Sequence, residues 1–421
     1  MNRPPAIAER NAIEALRAGV PNRAAIRILG SNEDGLRGDF LSRLGRCQAA
    51  LAEGRQVDGL LLAGAFGAGK SHQLGYFREL AQQENFVVSL VPISKEAPLF
   101  DPARLFAAAI RVAAVPGAND DVMTAVMSRL KPNSAAYDEL EEWTTGEVQS
   151  GRLATLFAAL LHLIPRGAID ADAHARMARF FAGGKLGVIM TRAWLRAAGA
   201  GRLFNVRAVR EADLALQRLR FAPRLLRAAG FRGWCVLLDE VELIGRYSPL
   251  QRGRSYAEFA RWLGLEKSEE IPGLVTVAAI TSDFHDEMFT RRRDDELIPP
   301  RLEERGMQQQ AVMARKGIEW LERHQTALNR PDPAGLGRSL EKIGRLYHDV
   351  YGWAPPATEI GPLLGSGSLR QHVKSWITLW DIERLYGERP GIEADTIAID
   401  YTESTDIEQA TIAPDDDESI G

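Results

Sequence analysis

The sequence predicts an α/β fold: a three-layer core interrupted by a large helical insertion and followed by a C-terminal helical lid. Three observations predict it. A glycine-rich stretch, Gly64-Ala65-Phe66-Gly67-Ala68-Gly69-Lys70-Ser71, stands between an apolar strand and an amphipathic helix. A second apolar strand ends in Asp239-Glu240, 175 positions beyond Gly64. The residues between are dominated by helical periodicity and rich in arginine.

The glycine-rich stretch fits G-x-x-x-x-G-K-[S/T], the phosphate-binding P-loop. Small residues let the backbone curl so that successive N–H groups point at phosphate oxygens, and the following helix adds its positive end. Gly59-Leu60-Leu61-Leu62-Ala63 reads as the strand entering the loop, and Ser71–Leu80 as the helix leaving it. The expected contact set is Gly64, Ala65, Phe66, Gly67, Ala68, Gly69, Lys70, Ser71 and His72. Lys70 reaches the β- and γ-phosphates of ATP in this reading, and the Ser71 hydroxyl sits on Mg²⁺.

The elements follow in order. Residues 1–57 read as an N-terminal helical region with helices over Ala6–Leu16, about Arg23–Leu29 and about Leu36–Ala52. These form a wall against which a base can pack. Phe86–Val91 is a second strand, and Asp101-Pro102 caps and opens a helix carrying Leu105, Phe106, Ala109 and Ile110 on one face. Residues 118–232 form the insertion within an ATPase core of 58–313, with helices over Asp120–Leu130, Ser134–Thr144, Arg152–Leu163, Ala171–Phe181 and Val206–Ala229. Gly233–Glu240 and Leu274–Ile280 are further buried strands, and Ser255–Leu265 is a helix. Residues 314–390 read as a helical lid. Residues 391–421 hold ten acidic residues and no Lys or Arg, and read as an acidic tail, disordered past about Tyr401.

Composition narrows the function classes. Apolar content of 45% and charged content of 26% are ordinary for a globular chain. No apolar run approaches a membrane span, and Met1–Pro5 has no signal-peptide core, so a cytoplasmic protein is expected. Two distant cysteines and seven histidines without ligand spacing suggest neither a disulfide framework nor a zinc site. The net charge of −4 conceals a basic middle: from Arg152 to Arg232, fourteen Arg and one Lys face four acids, a net of +11.

Val236-Leu237-Leu238-Asp239-Glu240 is a Walker B pattern. Asp239 would hold Mg²⁺, and Glu240 would orient and deprotonate the attacking water. Glu242 is a third carboxylate, expected to face a partner or solvent. The 274–280 strand should lie beside this one, so that Thr281 or Ser282 at its polar end reaches the γ-phosphate or the water. Arginines 291, 292, 293, 301 and 305 follow; Arg301 is preferred as an arginine supplied to a neighbouring copy's site, with Arg305 second. Arg370, in the first turn of a helix opened by Gly365–Ser368, gains nothing from the helix dipole. It is a candidate to fold over bound nucleotide, or simply a surface arginine.

This order of motifs resembles that of AAA+ ATPases. More narrowly, Ala12-Ile13-Glu14-Ala15-Leu16-Arg17-Ala18-Gly19-Val20-Pro21, the Gly64–Ser71 loop and Leu237-Leu238-Asp239-Glu240-Val241-Glu242 resemble the ATP-binding proteins of BREX-type phage-defence systems. The resemblance covers roughly residues 8–385. It implies ATP binding, an AAA+ core with a helical lid, and a place beside other defence proteins acting on DNA. In that frame Lys70 and Ser71 bind phosphate and Mg²⁺, Asp239 the metal, Glu240 the water, and Arg370 matches the lid arginine. The 175-residue separation exceeds what a minimal core needs. The arginine-rich excess, 152–232, is expected to meet DNA, through Arg218, Arg220, Arg224 and Arg227 among others, or else acidic surfaces of a neighbouring subunit or the chain's own tail. A homo-oligomer is expected, since the trans arginine comes from a neighbour. Alternatives are a slow nucleotide-gated switch and, less well matched to the lid and tail, a small-molecule kinase.

Overall fold

The computed structural model describes residues 7–19, 22–31, 33–117, 121–164, 170–328, 333–356 and 369–387. Five strands, β1 (Leu60–Gly64), β2 (Val87–Pro92), β3 (Trp234–Asp239), β4 (Leu274–Thr281) and β5 (Gln325–Ala327), form one parallel sheet in the order β2-β3-β4-β1-β5. β1, β3 and β4 are buried along their whole length, as parallel strands covered on both faces must be. Side chains alternate between two cores, with a period of two. Leu61 and Ala63 of β1, with Trp234, Val236 and Leu238 of β3, face one core. Leu60, Leu62, Cys235 and Leu237 face the other.

Helices cover both faces. Before the sheet come α1 (Ile7–Ala18), α2 (Arg23–Leu29) and α3 (Asp34–Ala52); α4 (Lys70–Gln83) and α5 (Pro102–Arg111) flank β2. Asp101 caps α5 as expected, accepting from the N–H groups of Ala103 and Arg104 at 3.0 Å. The insertion comprises α6 (Val122–Arg129), α7 (Ala135–Gln149), α8 (Thr155–Leu163), α9 (Ala171–Phe181), α10 (Val188–Ala197) and α11 (Glu211–Ala228). It extends the first core through a cluster of Phe157, Phe180, Phe181 and Phe221. α12 (Pro249–Leu263), α13 (Asp294–Glu304) and α14 (Gln308–Arg323) complete this side.

α15 (Pro333–Tyr351) and α16 (Leu369–Tyr386) pack with α1 and α2 around Tyr347, Trp376 and Trp380, making a third core. Arg17 of α1 ties this unit together. Its guanidinium donates to Asp381 at 2.9 and 3.1 Å and to the Tyr351 hydroxyl at 2.9 Å.

Two elements differ from expectation. Residues 314–387 are not uniformly helical, because Gln325–Ala327 pairs with Leu61–Ala63 as the edge strand β5. α10 was not foreseen: it lies between two glycine breaks and buries only Thr191 and Leu195, which leaves little apolar period to read. The 365–368 opening of the lid helix and the 391–421 tail lie outside the described residues. Among the described residues no helix is long and apolar enough to cross a membrane.

Candidate functional site

Parallel register lines up the C-terminal ends of the strands: Gly64 sits opposite Thr281, and Pro92 opposite Asp239. Open α/β sheets bind ligands at this edge. A cleft of about 950 Å³, open mouth included, lies there.

The loop between β1 and α4 forms its floor. Gly67 and Gly69 have φ of +78° and +100°, a conformation that side chains resist, and Gly69 is the residue from which α4 starts. Gly64 also needs its bareness, since a Cβ there would come within 3.1 Å of the Ala68 Cβ. Gly67, Gly69, Lys70, Ser71 and His72 line the cleft with Phe66, whereas Gly64, Ala65 and Ala68 shape the loop behind it. Lys70 is 8% exposed and its Nζ donates to the carbonyls of Gly64 at 2.9 Å and Ala65 at 3.3 Å. Burial lowers its pKa, against the pull of Glu242, Asp239, Asp283 and Glu240. The His72 ring is held by the Gly30 carbonyl at 2.7 Å, and burial keeps its pKa below the usual histidine value.

The opposite wall is acidic. Asp239 ends β3 at 8% exposure, and its Oδ1 accepts from the Glu240 N–H at 3.0 Å. Glu240 is exposed and adopts φ 57°, ψ 36°, a strained left-handed conformation for a residue with a side chain. Burial and then Asp239 push its carboxyl up. Glu242 overturns the expectation that it faces a partner or solvent: it is 5% exposed, lines the cleft, and its Oε2 has no hydrogen-bond partner among the described residues. Burial raises its carboxyl to about 7.

The third wall is apolar and comes from the helical unit: Ala15, Leu16, Leu29, Leu369 and Val373. Arg370 closes over the top. Its guanidinium stands 5.9 Å from the centre of the Phe66 ring, and its stem packs on Gly19 at the end of α1. Ala15, Leu16 and Gly19 belong to the 12–21 stretch, so that stretch is both cleft wall and, through Arg17, an anchor for α16.

Other candidates lie apart from the cleft wall. Thr281 is 1% exposed and abuts Gly64 across β1–β4 without lining the cleft. Ser282 donates its N–H to the Gly64 carbonyl at 3.3 Å. Asp283, which sequence reasoning passed over, is near enough to act on Lys70. Arg301 and Arg305 are exposed at the end of α13, with side chains that bond no described residue. Arg291, Arg292 and Arg293 instead pair with Glu287 or Glu296.

The four arginines singled out for DNA do not face outward as a group. Arg218 is 2% exposed, paired with Glu211, bonded to the Gly184 carbonyl at 2.7 Å and stacked 4.6 Å over Phe180. Arg220 pairs with Glu269 at 3.1 Å, and Arg224 and Arg227 approach Glu139 at 4.0 and 3.9 Å. Their helical period places Leu214, Arg218, Phe221 and Leu225 on the buried stripe of α11, a signal that charge counting ignores.

Residues 6–130 and 134–354 match the family described as BREX system ATP-binding protein BrxC/D. No curated protein and no solved structure gives a match. The match takes in the glycine loop, both acidic residues at the end of β3 and the first helix of the cleft wall, and the chain belongs to this family of BREX ATP-binding proteins.

Proposed function

We propose that the chain is an AAA+-type ATPase whose nucleotide cycle serves a DNA-associated anti-phage assembly in the cytoplasm, together with other defence proteins. One observation carries the hydrolytic part. Glu240 stands at the mouth of the cleft across from Lys70 and Ser71, its carboxyl pushed up by burial and by Asp239. That is the place and the basicity a water-activating group needs.

The base of ATP fits against Ala15, Leu16, Leu29, Leu369 and Val373, with its phosphates on the loop. Lys70 then exchanges its loop carbonyls for phosphate oxygens. Among the described residues no cluster of three or more His, Cys, Asp or Glu stands ready for a metal. Ser71 and Asp239 are hard oxygen donors of the kind that hold Mg²⁺ brought in with phosphates, which spreads the phosphate charge. Thr281 braces the loop through its place beside Gly64. Arg301, exposed and bonded to no other described residue, is offered to the cleft of a neighbouring copy, which makes hydrolysis depend on a homo-oligomer.

Glu240→Gln is expected to keep ATP binding and lower turnover at least a hundredfold; unchanged turnover removes Glu240 as the base. Arg301→Ala should be as inactive alone, yet mixing it with Glu240→Gln should restore part of the activity through mixed interfaces. No recovery on mixing, with both proteins assembled, rules Arg301 out as a residue supplied in trans.

A further inference from the structure

The basic charge outside α11 is arranged differently. From Ala173 to Arg210 the chain has seven Arg and one Lys and not one Asp or Glu. The ends of this stretch are neutralised, Arg176 by Asp172 at 2.6 Å and Arg210 by Asp213 at 2.9 Å. Its middle is not. Arg192 and Arg196 lie one turn apart on α10, and Arg202 and Arg207 lie on the segment that follows; all four are exposed.

Two contacts fold that segment back along the helix. Arg192 donates through Nε and Nη2 to the Val206 carbonyl at 3.2 and 2.7 Å. Gly201 presses on the stem of Arg196 so closely that a Cβ would meet its Cγ at 2.9 Å. Arg202 and Arg207, each next to a residue so held, therefore lie beside Arg192 and Arg196 in the fold, and all four are exposed. The internal bonds these side chains make end on backbone carbonyls, here and from Arg196 to Arg192, so they offset none of the charge. α8, which packs beneath α10, carries no acidic residue.

We propose that this face, Arg192, Arg196, Arg202 and Arg207, is the surface that holds duplex DNA by its phosphate backbone. The placement rests on the DNA association proposed above. A protein partner would be expected to meet a face of mixed sign. A surface of forked guanidiniums with no carboxylate paired to them among the described residues fits a repeating phosphate chain. Contacts to phosphates carry no base sequence, so binding should be indifferent to sequence and steeply salt-dependent.

The test uses the full chain and a fluorescent duplex of random sequence, with anisotropy read across a range of salt. The variant Arg192→Ala/Arg196→Ala/Arg202→Ala/Arg207→Ala should lose at least tenfold in affinity. Its log–log salt slope should flatten by about 3 to 4. ATP affinity and thermal midpoint should match those of the unaltered chain. A control, Arg37→Ala/Arg46→Ala/Arg323→Ala/Arg345→Ala, removes the same charge elsewhere and should bind DNA almost as before. Equal losses in both variants reduce the effect to net charge and overturn the assignment. Unchanged DNA binding by the α10 variant overturns it while leaving DNA association standing. An unaltered chain that ignores DNA at low salt but binds polyglutamate through these arginines overturns both.

Discussion

Two regions of the molecule bury charge, and they do so in opposite ways. In α11 and its surroundings the buried arginines have acidic partners: Arg218 meets Glu211, Gly184 and Phe180, though its Nε bonds no described residue, while Arg261 and Arg220 share Glu269. In the cleft the charges are poorly answered. Among the described residues Lys70 is hydrogen-bonded only to loop carbonyls and Glu242 keeps an unpartnered oxygen, and Glu240 sits in a strained backbone conformation. Paired charge there stabilises the fold. Unanswered charge in the cleft costs stability that a ligand can return, the usual mark of a site rather than a scaffold. Removing a charge should therefore act with opposite sign in the two regions.

The largest effect is expected at Glu242. Its carboxyl lies at about 7 against an ordinary 4.5. Between those values the folded chain keeps a proton that the unfolded chain has released, so stability falls as pH rises through that window. At pH 8 the cost is about 3 kcal/mol. Glu242→Gln should raise the stability of the ligand-free protein by about that much at pH 8, and the gain should fade as the pH approaches the ordinary glutamate value. Denaturant melts at the two pH values measure it. A Gln variant no more stable than the parent at pH 8 would break the contrast at its strongest point.

The opposite sign belongs to Arg218. Arg218→Ala removes an ion pair, a bond to a backbone carbonyl and a cation–π contact from a buried helix face. The expected cost is about 2 kcal/mol, with ATP affinity intact. Arg202→Ala, at an exposed position whose side chain bonds no described residue, should stay within about 0.5 kcal/mol of the parent. Similar losses at both positions would mean that the two groups of arginines are not distinct.

This division was only half legible in the chain. Strands with continuous apolar runs, the glycine loop and the Asp101 cap were readable because each depends on local chemistry, and α2 spans the expected Arg23–Leu29. The edge strand β5 is three partly exposed residues whose identity comes only from pairing with β1. Glu242 departs from its expected place, facing a partner or solvent, because the backbone does not run straight on past β3. Glu240 turns left-handed and the chain enters a 3₁₀ turn over Val241–Arg246, which swings Glu242 back into the cleft. Arg218 was counted as surface charge although its neighbours at helical spacing are buried.

A smaller effect on ligand binding is expected where the helical unit meets the glycine loop across the cleft. Arg370 stands at the positive end of α16, over Phe66 of the loop. Helix end and guanidinium present the same sign to the cleft, an arrangement that disfavours the ligand-free protein and favours a bound polyanion. Arg370→Ala should weaken ATP binding three- to tenfold, about 1 kcal/mol. AMP separates the causes. If Arg370 reaches the phosphate tail, AMP affinity should hardly change. If it acts by stacking on Phe66 and closing the apolar wall over the base, AMP and ATP should weaken together, and Phe66→Ala should reproduce the loss without adding to it. Unchanged affinity for both nucleotides would make Arg370 a surface arginine and leave the cleft to be closed by Leu369 and Val373 alone.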